Sequence, residues 1–200
     1  MSGLTNDELA ARLTEAVVLP VLRAPSAEVA LDQVERCLAS GLDVVELTAT
    51  TPGWSGALRE ARVAWPDVTL GLGTVLDPVD ADTAVAAGAD FVVSPCPVPA
   101  VRLHLGGIVP LIEGGLTPGE LLGAAGRGVA KLFPAHVGGP QLLRSVLALR
   151  PSARIVPTGG IAMADVADWL SAGALAVGIG SALFEEPDLT TRLRSARRLR

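Results

Sequence analysis

Lysine is almost missing from this chain. Of its 16 basic residues all but one are arginine, and the single lysine, Lys131, sits in the apolar run VAKLFPA at 129–135. Tyrosine is absent, and the aromatic content is limited to three Phe and three Trp. So few stacking platforms argue against a surface built to hold bases. The two cysteines, Cys37 and Cys96, lie far apart without metal-ligand spacing, and His104 and His136 are equally isolated. Cys37 lies in an apolar helical pattern and reads as packing. Scarce cysteine fits a reducing compartment. No apolar run reaches the length of a membrane span, because Gly, Pro or charge interrupts each one. The polar, acidic start MSGLTNDELAARL is unlike a signal peptide, so the expected location is the cytoplasm. The formal net charge is −5. The one dense basic stretch, 192–200, reads as the solvated face of a last helix rather than a nucleic-acid site.

What is present is apolar and rhythmic. Half of the 200 residues are hydrophobic, ample material for the core of one domain spanning 1–200. Short β-rich runs at 17–24, 43–49, 69–75, 91–95, 108–114, 129–135, 154–160 and 175–183 alternate with helical patterns. Several helical patterns open at a capping residue such as Ser26, Asp77 or Thr117. Several close at Gly41, Gly88, Gly126 or Gly173. Eight strand–helix units fill the chain at the scale of an α/β fold of the (β/α)8 TIM-barrel type. The segment LTNDELAARLTEA supplies an extra N-terminal helix to close the barrel bottom. An open, doubly wound sheet is the competing architecture. Its dinucleotide fingerprint is missing, since Gly71-Leu-Gly73 and Gly178-Ile-Gly180 lack the third glycine.

In such barrels the active site lies at the C-terminal strand ends, and side chains alternate along each strand. Alternation sorts Leu19, Val21 and Arg23 onto one face, and likewise Val44, Glu46 and Thr48. The same rule groups Leu70, Leu72 and Thr74; Val109, Leu111 and Glu113; and Val129, Lys131 and Phe133. Each set carries a polar or charged residue on an otherwise apolar face. An isolated buried charge is costly, so Glu46, Glu113, Arg23 and Lys131 are expected to converge on one cavity. A structural ion cluster is the alternative. Thr158-Gly159-Gly160 after strand seven and Gly180-Ser181 after strand eight offer free backbone amides where such barrels often hold phosphate.

Desolvation disfavours an ammonium, so a lysine in a mostly apolar cavity suits attack on a carbonyl and formation of a Schiff base. The protonated imine draws electrons and lets a neighbouring carbon–carbon bond break. A carboxylate such as Glu46 can shuttle the protons. An arginine and a threonine can hold a substrate carboxylate, and a glycine nest the distal phosphate. The set describes retro-aldol cleavage of a phosphorylated 2-keto acid. Two other classes stay open: a phosphosugar isomerase or epimerase using Glu46 as base, and a non-catalytic phosphate-ligand-binding barrel in which Glu113 pairs Lys131. No ligand set for a metal is apparent.

The motifs PVLRA (20–24), VVELTATTP (44–52), GLGTV (71–75), FVVSP (91–95), GGLTPGEL (114–121), KLFPAHVGGPQ (131–141), VPTGGI (156–161) and AVGIGSALF (176–184) occur in this order. Together they resemble the 2-keto-3-deoxy-6-phosphogluconate aldolase family, class I aldolases that include 4-hydroxy-2-oxoglutarate aldolases. The resemblance implies Lys131 as the imine-forming residue and Glu46 as the acid/base carboxylate. It implies Thr74 as a pyruvate-side contact, Arg23 as the carboxylate-binding arginine, and Gly159, Gly160, Gly180 and Ser181 as the phosphate region. Pro95, Phe133 and Thr158 complete the expected substrate contacts. It further implies no separate cofactor, pyruvate and a phosphorylated 2-keto acid as ligands, and a homotrimer. Some members carry a carboxylate-binding arginine three residues after the glutamate, where this chain has Ala49, then Thr50. Glu113 stands where a proline is common, and His136 where an acidic residue often follows the FPA motif. Both are possible modulators of specificity.

Overall fold

The computed structural model describes residues 3–199, and in them eight short strands alternate with helices. Met1, Ser2 and Arg200, from the polar N-terminal run and the basic C-terminal run, lie outside the described residues. The strands are β1 (Val18–Leu22), β2 (Val44–Thr48), β3 (Thr69–Gly73), β4 (Phe91–Val93), β5 (Leu111–Gly115), β6 (Val129–Leu132), β7 (Arg154–Pro157) and β8 (Val177–Ile179). Seven fall inside the runs expected from sequence, and β5 extends one residue past its run at 108–114. All pair in parallel in the order β7-β6-β5-β4-β3-β2-β1-β8. A parallel bridge between Thr158 and Gly178, with the Leu175 amide donating to the Ile155 carbonyl at 2.8 Å, joins the two ends. The sheet is thereby a (β/α)8 barrel.

The helices follow from local signals. Thr5 and Glu8 form a reciprocal capping box at the start of α1 (Asn6–Ala16). Ser26 caps α2 (Ala27–Ala39), and Gly53 precedes α3 (Trp54–Ala64). Asp77 accepts from two backbone amides of α4 (Pro78–Ala86), and α5 (Pro99–Leu105) also begins at proline. Thr117 and Glu120 build a second capping box on α6 (Pro118–Ala125). Then come α7 (Gly139–Leu149), α8 (Val166–Ser171) and α9 (Leu189–Arg197). Gly41, Gly88 and Gly173 take the left-handed conformation expected just past a helix end, whereas Gly126 stays right-handed. Arg192 of α9 pairs with Glu186, and Arg197 donates to the Gly41 carbonyl, so part of the basic run is tied down by the barrel. Among the described residues no helix is long and apolar enough to cross a membrane.

Two apolar layers hold the barrel. The outer one lies between strands and helices and includes Leu47, Leu70, Leu72, Leu132 and Cys37, all fully buried. The inner one fills the lumen with Leu19, Val44, Phe91, Ile112, Val129 and Val156, and α1 closes it with Leu9 and Leu13. The expected extra helix therefore plugs the barrel. The lumen corrects two of the faces read by alternation. On β3 the outward layer takes Leu70 and Leu72, and the inward positions are Gly71 and Gly73. On β5 the inward residue is Ile112, so Glu113 points outward, towards α5 and the end of α6. Both faces of a barrel strand are buried, so apolar character alone does not tell in from out.

Candidate active site

Lys131 stands on the inward face of β6, two residues beyond lumen-filling Val129, and is 6% exposed. Glu46 holds the same station on β2, beyond Val44, and is fully buried. The Lys131 Nζ donates to Glu46 Oε1 at 3.2 Å. Room for this carboxylate comes from the neighbouring strand: a Cβ on Gly73 would collide with it. Phe91 occupies the space above Gly71 in the same way. Burial pushes the Glu46 carboxyl above the ordinary carboxylate range, with the charges of Lys131 and Arg23 pulling the other way. Its Oε2 has no hydrogen-bond partner and is buried. A buried acceptor with nothing to accept from is expensive, and an incoming donor would relieve that cost.

A cavity of about 560 Å³ opens at the C-terminal strand ends. Arg23, Phe133 and Thr158 line it. So do Gly159, Gly160, Gly180 and Ser181, from the turns after β7 and β8. Four elements expected to meet from sequence thus do meet. Thr158 is buried, and its Oγ1 lacks a partner. A Cβ on Gly178 would collide with that hydroxyl, so glycine again makes room for a polar group of the neighbouring strand. Gly159 and Gly160 have φ of 101° and 70°, a conformation that favours glycine. Lys131 and Glu46 adjoin this cavity rather than line it. The Phe133 ring, a lining group, has its centroid 5.8 Å from the lysine nitrogen, and Val21, another, is the register partner of Glu46.

The remaining expected residues fall unevenly. Pro95 is half-buried, and its carbonyl occupies the space where a Cβ on Gly114 would lie, Gly114 being the register partner of Lys131. Pro95 thus lies beside the strand position that pairs with Lys131. Thr74 is partly buried with φ of 63°, has left the extended β3 path, and does not line the cavity. His136 is exposed; its amide donates to the Gly159 carbonyl at 3.2 Å and its ring packs beside Gly160.

Glu113 is not part of this site. It accepts from the Val98 amide at 3.1 Å and from Arg102 at 2.6 Å, and it also pairs with Arg127. Burial alone would raise its pKa, but these bonds outweigh it and hold the carboxyl below its ordinary range. The expected convergence of Glu113 on the cavity is therefore overturned, and with it the alternative in which Glu113 pairs Lys131, because strand parity puts the two on opposite sides of the sheet. The alternation argument passed over Ile161 and Asp165, both lining groups beyond the strand ends. The Asp165 side chain caps the Ala162 amide at 3.0 Å. A GGI-x-x-x-D turn before a helix was the available signal for it. Among the described residues no three His, Cys, Asp or Glu side chains gather as a metal-binding group.

Residues 9–192 match the family described as KDPG and KHG aldolase. A 2-dehydro-3-deoxy-phosphogluconate aldolase of Pseudomonas aeruginosa is 37% identical over 161 residues, which is 78% of this chain and 73% of that protein. The 2-dehydro-3-deoxy-6-phosphogalactonate aldolase of Escherichia coli is 30% identical over 176 residues, 86% of each chain. Among solved structures, a KDPG aldolase from Legionella pneumophila, with pyruvate captured as a covalent carbinolamine intermediate, superposes with a TM-score of 0.81 at 31% identity over 95% of each chain.

Proposed function

Since this chain belongs to the KDPG and KHG aldolase family, we propose that it cleaves a phosphorylated 4-hydroxy-2-keto acid to pyruvate and an aldehyde through an imine on Lys131. The observation that carries this reading is the Lys131 amine 3.2 Å from a fully buried carboxylate whose second oxygen has no partner. The lysine nitrogen adds to the C2 carbonyl and water leaves, giving a protonated imine. Glu46, directly or through a water, takes the C4 hydroxyl proton. The C3–C4 bond breaks, its electrons move into the iminium, and the aldehyde departs from an enamine. Glu46 returns the proton to C3, and water hydrolyses the imine to free pyruvate and the amine. No separate cofactor enters this sequence.

The cavity supplies two anion-binding elements for such a substrate. Arg23 offers a guanidinium for the carboxylate, with the unpartnered Thr158 hydroxyl a second donor. The amides of Gly159, Gly160, Gly180 and Ser181 suit the phosphate, with glyceraldehyde 3-phosphate as the released aldehyde. Pro95 and Phe133 shape the pyruvate side, Thr74 just past β3 is a pyruvate-side contact by family likeness alone, and His136 lies beside the phosphate turn. A homotrimer of single-domain chains is part of this reading, supported by family likeness; sedimentation at three times the 20.4 kDa chain mass is the check.

Steady-state rates with paired phosphorylated and unphosphorylated 4-hydroxy-2-keto acids test the substrate class. The phosphorylated member of each pair is expected to have the higher kcat/KM. Lys131→Arg keeps a charge but cannot form the imine, so it should cost at least about 10³-fold in kcat. An isomerase that needed only a cation would tolerate that change.

A further inference from the structure

Glu113, excluded from the catalytic site, forms the floor of a second cavity. This cavity holds about 380 Å³ and lies on the N-terminal side of the barrel. Residues 3–6 at the start of α1, residues 107–110 before β5, and Arg127 before β6 border it. Its polar end is built rather than accidental. The Glu113 side chain is 3% exposed, and both its oxygens are taken by the Val98 amide, Arg102 and Arg127. Neither arginine has another carboxylate partner among the described residues. Two guanidinium charges therefore face one carboxylate, and one positive charge is left over.

The arginines are only half committed. Arg102 reaches Glu113 with one terminal nitrogen, and Arg127 with Nε and one terminal nitrogen. Each keeps a terminal N–H group free of Glu113, and the side chains are 37% and 45% exposed. Beyond Thr5 and Asn6 the rest of the lining is apolar, including Leu4, Leu105, Ile108 and Pro110. A cavity of this size is within the range that takes small organic ligands, roughly 300–1,000 Å³. We infer that this cavity is a second binding site, separate from the aldolase centre, for a small organic anion with an apolar body and a carboxylate or phosphate head. The head group bonds to the outward N–H groups of Arg102 and Arg127 and offsets the unbalanced charge. The apolar body rests against Leu4 and Ile108.

Calorimetric titration with benzoate and with phenyl phosphate tests this. Ile108 lines the cavity and is 64% exposed, so its replacement leaves the core intact. Ile108→Glu sets a carboxylate against the incoming anion and should weaken binding at least about tenfold, while the similar-sized neutral Ile108→Gln keeps it. Arg23→Gln, which alters only the catalytic mouth, should leave this binding unchanged. The tighter of the two probes names the head group. Binding of neither at millimolar concentration would overturn the assignment. So would equal affinity in Ile108→Glu, or loss of binding in Arg23→Gln.

Discussion

A buried carboxylate beside an amine feels two opposing forces, and in Glu46 burial is the larger. Loss of water favours the protonated acid, while Lys131 at 3.2 Å and Arg23 favour the anion. The outcome is a carboxyl that keeps its proton to higher pH than an ordinary glutamate, which suits a group that must both take and return a proton. The kcat/KM profile should therefore show a carboxylate ionisation displaced upward, with activity falling as pH drops through it and the base is lost. In Glu46→Gln that limb should vanish and kcat fall by about 10²–10⁴-fold, since the amide can neither accept nor return the proton. An unshifted acid limb in the wild type, or the same limb in the variant, would assign the proton shuttle elsewhere.

Strands set these positions, and the strand beside Glu46 matters as much as its own. Gly73 on β3 is inward-facing and leaves the volume that the Glu46 carboxylate fills. Gly73→Ala should thus displace the carboxylate and lower kcat by about 10²-fold, with far-ultraviolet circular dichroism unchanged. Sequence alternation placed Lys131 and Glu46 correctly because Val129 and Val44 behind them belong to the lumen. The same rule failed on β3 and β5, where parity was right but the choice of face was not. The cue on β3 was Gly71 in mid-strand and Gly73 at its end, the mark of a close approach by a neighbour. On β5 nothing local separates Ile112 from Glu113 as the inward residue; the partners that decide it are Arg102, 11 residues earlier, and Arg127, 14 residues later. Glu113 carries a consequence for acid stability. Its pKa is depressed in the folded chain, so its contribution is complete above the ordinary carboxylate range and is lost as pH falls through the lower folded value. Glu113→Gln should lower stability by about 2–3 kcal/mol at neutral pH and by less in acid, measured by urea unfolding. A constant difference across pH would contradict the depressed ionisation.

At the scale of the whole molecule, eight alternating units and a closing helix were legible because each strand run and helix cap is a local signal. Closure into a barrel was not local: it rests on pairs such as Thr158 with Gly178, and on α1 entering the lumen. The two cysteines report on this assembly. Cys96 is exposed, while Cys37 lies on the buried face of α2 with its thiol pushed up to about 12 by burial. Thiol reagent should label Cys96 in the native protein and Cys37 only when the barrel unfolds, with a denaturant midpoint equal to that from circular dichroism. Because the chain has one lysine, the whole protein also serves as its own assay for the central claim. Borohydride reduction in the presence of pyruvate, read by intact and peptide mass, should add one reduced pyruvate per chain, on the peptide containing Lys131 and not on the N-terminal amine. A folded protein that gains no adduct, or gains it only at the N-terminus, would contradict imine chemistry at Lys131.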